Sequence, residues 1–301
     1  MCEKDDLAAM GPQGGFDWSV NRRAFVGLAA GALAACTSGS SDAANAIGNG
    51  AAGGGLAEGD VSFATPDGTM DAFFVRPASG KYPAILMWPD IAGVREANQV
   101  MARRLAAQGF AVLLANPYYR DVKAPQFADF AAFRSGDGFA KVGPWRGKLT
   151  PDAVMRDAKA AVDWLDAQPS VDTALGVGSN GYCMTGSFTV YGAAAVPGRI
   201  KAAASLHGGG LADAGNPQSP DKLIGKTQAS FLFAIGRNDD AKEPETKDAL
   251  SAAAKAAGRP AEVTVFAADH GWTVPDSPAY DQIEAEKAWA RMSALFEGLK
   301  S

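Results

Sequence analysis

The chain has 301 residues, of which 47% are hydrophobic and 20% charged, the balance of a folded globular protein. Its formal net charge is −5, which speaks against a nucleic-acid binder and against a protein held to anionic membranes by a basic patch. The length suits one large domain or two small ones.

The N-terminal stretch reads as an address. Arg22 and Arg23 precede an apolar run at 25–35, which is too short for a bilayer span of about 20 residues and suits the core of a signal segment. The pattern resembles a twin-arginine export signal. Leu33-Ala34-Ala35-Cys36 resembles a lipobox, in which Cys36 carries a lipid, the one membrane attachment expected of the chain; Ala44-Asn45-Ala46 is a competing cleavage site. Residues 1–46 are therefore assigned to an export signal, with a periplasmic destination, soluble or lipid-anchored. Residues 47–58, rich in Gly and Ala, read as a flexible linker, which leaves 59–301 as the folded unit. Of the three cysteines, Cys2 and Cys36 fall in the signal, so Cys183 has no disulfide partner. With two histidines and no Cys/His ligand spacing, neither a metal nor another cofactor is expected.

Beyond the linker, runs at 61–65 and 70–76 flank Pro66-Asp67-Gly68, a hairpin signal. The continuous apolar run 83–88 reads as a strand buried on both faces. Residues 95–108 place Val100, Met101, Leu105 and Ala106 at helical spacing before Gly109, and 111–115 is a second buried strand. Residues 121–147 carry Phe127, Phe130, Phe133, Phe139 and Trp145 among Gly and Pro breaks, and read as an irregular excursion over the sheet edge. Thr150-Pro151-Asp152 starts a helix running to 167. Strands at 202–206, 231–235 and 261–266 and helices at 245–257 and 280–299 complete the chain. This alternation predicts a single α/β domain, a doubly wound, mostly parallel sheet of about eight strands.

The chemistry centres on Gly178-Ser179-Asn180-Gly181-Tyr182-Cys183-Met184-Thr185-Gly186, between the apolar run 174–177 and a small-residue segment at 187–195 that suits a helix. A strand, a Gly-flanked turn with one nucleophile, then a helix is the outline of a nucleophile elbow, here built on Cys183. Asp239 follows the strand 231–235 and His270 follows the strand 261–266, which gives the order nucleophile, acid, histidine of α/β-hydrolase sites. Groups at strand C-terminal ends converge in open α/β sheets. An imidazole and a helix N-terminus beside the thiol favour the thiolate, and Asp239 would orient the imidazole. Asp240 is the alternative acid. His207 is the alternative base, but it comes too early for this topology and reads as structural or pocket-lining. The expected oxyanion donors are the N–H groups of Met184 and Ile91.

Together these residues resemble the dienelactone hydrolase family, the carboxymethylenebutenolidase-like α/β-hydrolases. The resemblance is carried by Gly181-Tyr182-Cys183, Gly236-Arg237-Asn238-Asp239, His270-Gly271, Asp90-Ile91-Ala92-Gly93, Tyr118-Tyr119-Arg120 and Ser205-Leu206-His207-Gly208-Gly209. It implies an α/β-hydrolase fold and opening of a small ester or lactone through a thioester on Cys183. It also implies that Arg120 faces a substrate carboxylate and that Asp90, Tyr118 and Trp272 stand at the substrate. Thr185 departs from the family's usual Gly, Asp90 from the commoner Glu, and one substrate arginine is matched. A non-catalytic, membrane-tethered binding protein on a hydrolase fold is the alternative; an acyltransferase or thioesterase would share the nucleophile.

Overall fold

The two five-residue apolar runs of the sequence form the middle of the sheet, where every side chain is covered. In the computed structural model, which describes residues 55–301, these are β3 (Ala84–Trp88) and β4 (Ala111–Ala115). The other strands are β1 (Leu56–Thr65), β2 (Gly68–Pro77), β5 (Val177–Tyr182), β6 (Ile200–Leu206), β7 (Ser230–Gly236) and β8 (Ala261–Phe266). They form one eight-stranded sheet in the order β1-β2-β4-β3-β5-β6-β7-β8. β1 and β2 run antiparallel to their neighbours, and every pair from β4 to β8 is parallel. The expected doubly wound α/β-hydrolase sheet is thus present. The segment expected to be an export signal, with Cys36, lies outside the described residues. The linker ends earlier than expected: Leu56, Ala57 and Glu58 already belong to β1, and the Glu58 carboxylate accepts from Arg103 Nε at 2.7 Å.

The helices are α1 (Glu96–Ala107), α2 (Phe130–Ser135), α3 (Gly138–Arg146), α4 (Pro151–Asp166), α5 (Gly186–Ala195), α6 (Pro220–Leu223), α7 (Arg237–Lys242), α8 (Thr246–Ala257) and α9 (Gln282–Glu297). Strand alternation sorts them into two layers. Ala84, Leu86 and Trp88 of β3 face Val154 and Ala158 of α4 and Val190 of α5. Ile85 and Met87 face Met101 and Leu105 of α1 and Met292 and Phe296 of α9. One strand therefore feeds two cores, which is why these runs read as continuously apolar.

β5 lies later in the chain than the sequence suggests. The strand is not 174–177 but Val177–Tyr182, so Gly178 and Gly181 sit inside it rather than in the turn. A Cβ at Gly178 would come 2.5 Å from Ile85 Cδ1, and one at Gly181 would collide with the Thr185 carbonyl. Close packing, not turning, requires these glycines.

The excursion 121–147 holds two short helices. Asp129 caps α2, accepting from Ala132 N at 2.7 Å. Phe133 is the hub of its aromatics, 5.2 Å from Phe127, 5.3 Å from Phe130 and 4.9 Å from Phe139. Phe130, Phe133 and Val142 form one buried cluster with Ile91, Tyr118 and Cys183. The excursion is thus a roof over the elbow rather than an edge decoration.

Candidate active site

Cys183 opens a single 3₁₀ turn (Cys183–Thr185) between β5 and α5. Its φ is +56°, in the left-handed region, which costs a non-glycine residue about 1–3 kcal/mol. The surroundings hold it there. Cys183 N–H donates to His207 Nδ1 at 3.0 Å, and Gly209 N–H donates to the Cys183 carbonyl at 3.3 Å. Thr185 belongs to the same scaffold. Its hydroxyl accepts from Tyr182 N–H at 3.0 Å and donates to the Pro89 carbonyl at 2.8 Å, stapling the elbow to the loop after β3. A fully buried N–H left without this partner would cost about 1–3 kcal/mol. The added bulk of Thr185 is accommodated as a hydrogen-bonded strut.

His270 arrives on the loop after β8. Its backbone N–H donates to Asn238 Oδ1 at 2.7 Å, and its Nδ1 lies 2.9 and 3.0 Å from the two Asp239 carboxylate oxygens. Asp239 stands in the first turn of the short helix α7. The alternative acid, Asp240, is instead paired with Lys247 at 2.6 Å, and Asp269 with Arg237 at 2.8 Å. His270 Nε2 is buried, on a ring that adjoins the Cys183 sulfur. Burial opposes a charge on His270. The adjacent Cys183 sulfur, by charge and hydrogen bonding, and Asp239 outweigh it and push the imidazole pKa up to about 10. At neutral pH His270 is therefore an imidazolium beside the Cys183 sulfur.

His207 stands on the other side of the elbow. Its ring packs 4.9 Å from His270 and 5.2 Å from Trp272, and its Nε2 lies 2.8 Å from Thr273 Oγ1. Burial first, and then the charge on His270, hold it well below the usual imidazole pKa. Because Nδ1 accepts from Cys183 N–H, the proton of the neutral ring is on Nε2. It has no proton-accepting route to the sulfur through Nδ1.

The N–H groups of Tyr182 and Cys183 are taken by side chains, and the next in the turn is that of Met184, one of the two expected oxyanion donors. Ile91 packs in the same cluster as Cys183. Tyr118 ties the two together: its hydroxyl donates to the Ile91 carbonyl at 2.9 Å and touches Met184 Sδ at 3.6 Å. Tyr118 is thus a strut beneath the site.

Three residues expected at the substrate are placed otherwise. Both Asp90 oxygens accept from Arg95, at 2.9 and 2.8 Å, and Arg95 also grips Asp276 through two 2.7 Å bonds. Asp90 is thus engaged by a buried arginine. Arg120 is turned to Asp157, with two 2.8 Å bonds, and to Asp67 at 2.6 Å, so its charge is already balanced. Trp272 is 0% exposed and stacks on Phe266 at 5.3 Å; it backs His207 from within the core.

A cleft of about 180 Å³ adjoins the elbow, lined by Arg146, Leu149, Met184, Ser187, Phe188 and Tyr191 among others. Arg146 makes no ion pair among the described residues. Sequence reading missed it because an arginine in an irregular, aromatic segment has no periodic signal. His207 carried one overlooked sign: it directly follows β6, the neighbour of β5, at the C-terminal sheet edge where such groups converge. No group of three or more His, Cys, Asp or Glu suited to a metal occurs among the described residues.

Known proteins resemble this chain over the whole of the described fold. A protein of Methylorubrum extorquens, provisionally named carboxymethylenebutenolidase, is 30% identical over 247 residues, covering 80% of this chain and 81% of its own. A Salmonella typhimurium protein of the same provisional name is 28% identical over 248 residues, covering 81% and 88%. A crystal structure of a provisionally named dienelactone hydrolase from Klebsiella pneumoniae superposes with a TM-score of 0.69 at 25% identity, covering 81% of this chain and 99% of that one. The model of the dienelactone hydrolase family matches residues 70–299, nearly the whole described sheet and its helices, and the chain belongs to that family of hydrolases.

Proposed function

We propose that the chain hydrolyses a small carboxylic ester or lactone through a thioester on Cys183, with His270 as acid and base and Asp239 as its orienting carboxylate. The observation that carries this reading is the position of His270, bonded to Asp239 through Nδ1 and raised to a pKa of about 10 by the neighbouring sulfur. The thiolate attacks the carbonyl carbon, the C–S bond forms, and the carbonyl electron pair moves to oxygen, stabilised by the N–H groups of Met184 and Ile91. Collapse expels the alkoxide, which takes the proton from His270. Neutral His270 then removes a proton from water, the hydroxide attacks the thioester, and the thiolate leaves as the imidazolium is restored.

Acid quenching during turnover of a small aryl ester, followed by mass spectrometry, should find the acyl group on the peptide containing Cys183. Steady hydrolysis with that peptide never acylated would refute the thioester route. The alternative of a non-catalytic, membrane-tethered binding protein rests on Thr185 and on the lipobox at Cys36; the hydrogen bonds of Thr185 to Tyr182 and Pro89 answer the first of these.

For the substrate, the cleft beside Met184 supports an acyl group that carries a carboxylate toward Arg146, in place of the paired Arg120. Arg146→Gln should raise KM about tenfold or more for such an ester, a charge-assisted hydrogen bond being worth about 1.5–3 kcal/mol, and leave a neutral ester unaffected. Equal changes for both esters would remove the assignment. The proposal also places the mature protein in the periplasm, with residues 1–46 as the export signal. The mature N-terminus read by mass spectrometry should be a lipidated Cys36 or Ile47; Met1 on the accumulated protein would exclude export.

A further inference from the structure

The nucleophile sits in a strained backbone conformation, and its two backbone polar groups are both held by one segment. Cys183 N–H goes to His207 Nδ1 and the Cys183 carbonyl to Gly209 N–H. His207 is itself at a positive φ of +42°, so two strained residues face each other across β5 and β6. The far side of the ring is fixed as well, because Nε2–H reaches Thr273, three residues beyond His270. One imidazole thus bridges the backbone of the nucleophile to the loop of its base.

We propose that His207 is a positioning residue for Cys183: a neutral imidazole whose Nδ1 fixes the nucleophile's backbone N–H and whose Nε2–H anchors it to the loop that carries His270. Two features make neutrality part of the role. A proton on Nδ1 would face the Cys183 N–H, donor against donor, and open the elbow. A charged His207 would also sit 4.9 Å from the ring of His270, inside the field of the imidazolium. The remaining neighbours of the ring, Tyr182 at 6.1 Å, Trp272 and Thr273, are uncharged, and Cys183 and His270 are the titratable groups it meets. Holding the Cys183 N–H also sets the direction of the next N–H, that of Met184, so the same bond orients the sulfur and the oxyanion donor together. An error of about 1 Å in such geometry costs on the order of 10²-fold in rate.

The role rests on Cys183 being the nucleophile, and the test separates the two ideas. An asparagine places its amide oxygen where Nδ1 stands, whereas glutamine places its amide nitrogen where Nε2 stands. His207→Asn should therefore keep the bond to Cys183, and His207→Gln should keep only the bond to Thr273. We expect His207→Gln and His207→Ala to lower kcat on a small aryl ester on the order of 10²-fold with KM little changed, and His207→Asn to recover most of it. Iodoacetamide alkylation of the Cys183 peptide, followed by mass spectrometry across pH, should rank the variants in the same order, and this readout does not depend on hydrolysis. Gln equal to or faster than Asn in both readouts overturns the proposal, as does wild-type alkylation in His207→Ala. Should the His207 variants not fold, Thr273→Val loosens the same ring from its other side. Slower alkylation there supports the role, and an unchanged rate refutes it. Failure of acyl trapping on wild type would instead strike the thioester route and leave the alkylation order to decide the positioning role.

Discussion

Cys183→Ala is expected to lower kcat on a small aryl ester on the order of 10⁶-fold, the loss seen when a nucleophile is removed from a unit that acts together. What remains is the modest assistance of the oxyanion donors and of binding. The same substitution should change His270 in a way that needs no substrate. The sulfur is the leading cause that raises its pKa to about 10, against the lowering effect of burial. Without the sulfur, the imidazole should titrate well below that value in an NMR titration of its ring protons. The sign for stability follows. A folded pKa raised above the ordinary 6.5 contributes stability that is complete below about pH 6.5 and lost as pH climbs through about 10. Wild type should therefore lose stability across that window, and Cys183→Ala should lose less. A variant with wild-type hydrolysis and an unmoved His270 titration would dismantle the site as described.

Arg95→Met should destabilise the fold by about 3–5 kcal/mol, the cost of breaking a buried ion pair from one side. Arg95 is 2% exposed and holds Asp90 and Asp276 bidentately. Burial works against its charge, and the two carboxylates more than restore it, so its pKa stands above the ordinary guanidinium value. Removing it leaves two covered carboxylates with the N–H groups of Ala92 and Phe130 as their remaining described partners, at 2.8 and 2.9 Å. Against a total stability of about 5–15 kcal/mol this is a large fraction. Urea unfolding monitored by tryptophan fluorescence measures it. Adding Asp90→Asn and Asp276→Asn to Arg95→Met should recover much of the loss, since the penalty lies in the uncompensated charges. A midpoint unchanged in the single variant would show that the clasp carries no weight.

Much of this was legible from the sequence. Buried parallel strands announce themselves as short apolar runs, and β4 has the bounds its residues suggested. Cys183, Asp239 and His270 stood out as candidates because each follows a strand, and strand ends meet at one sheet edge. What was not legible is contact across the fold. Gly178 and Gly181 have the composition of a turn, and only the approach of Ile85 and Thr185 reveals them as strand. Asp90 and Arg120 have the composition of a substrate site. Their partners Arg95, Asp276, Asp67 and Asp157 lie in segments whose convergence no local pattern encodes. His207 was visible as a histidine, but its role depends on a tautomer set by a backbone N–H in another strand's turn.

The clasp also bears on how the chain comes to be folded. Arg95 and Asp276 are 181 residues apart, and the loop between them contains the elbow, Asp239 and His270. Contacts of such separation close late, after the entropy of a long loop has been overcome, whereas the β1–β2 hairpin can form at once. A nascent chain synthesised as far as His270 has every residue of the proposed chemistry and lacks Asp276 and α9, which close the roof and cover one face of the sheet. Catalytic competence is thus a property of the completed chain, and refolding should regain activity later than it regains hairpin structure.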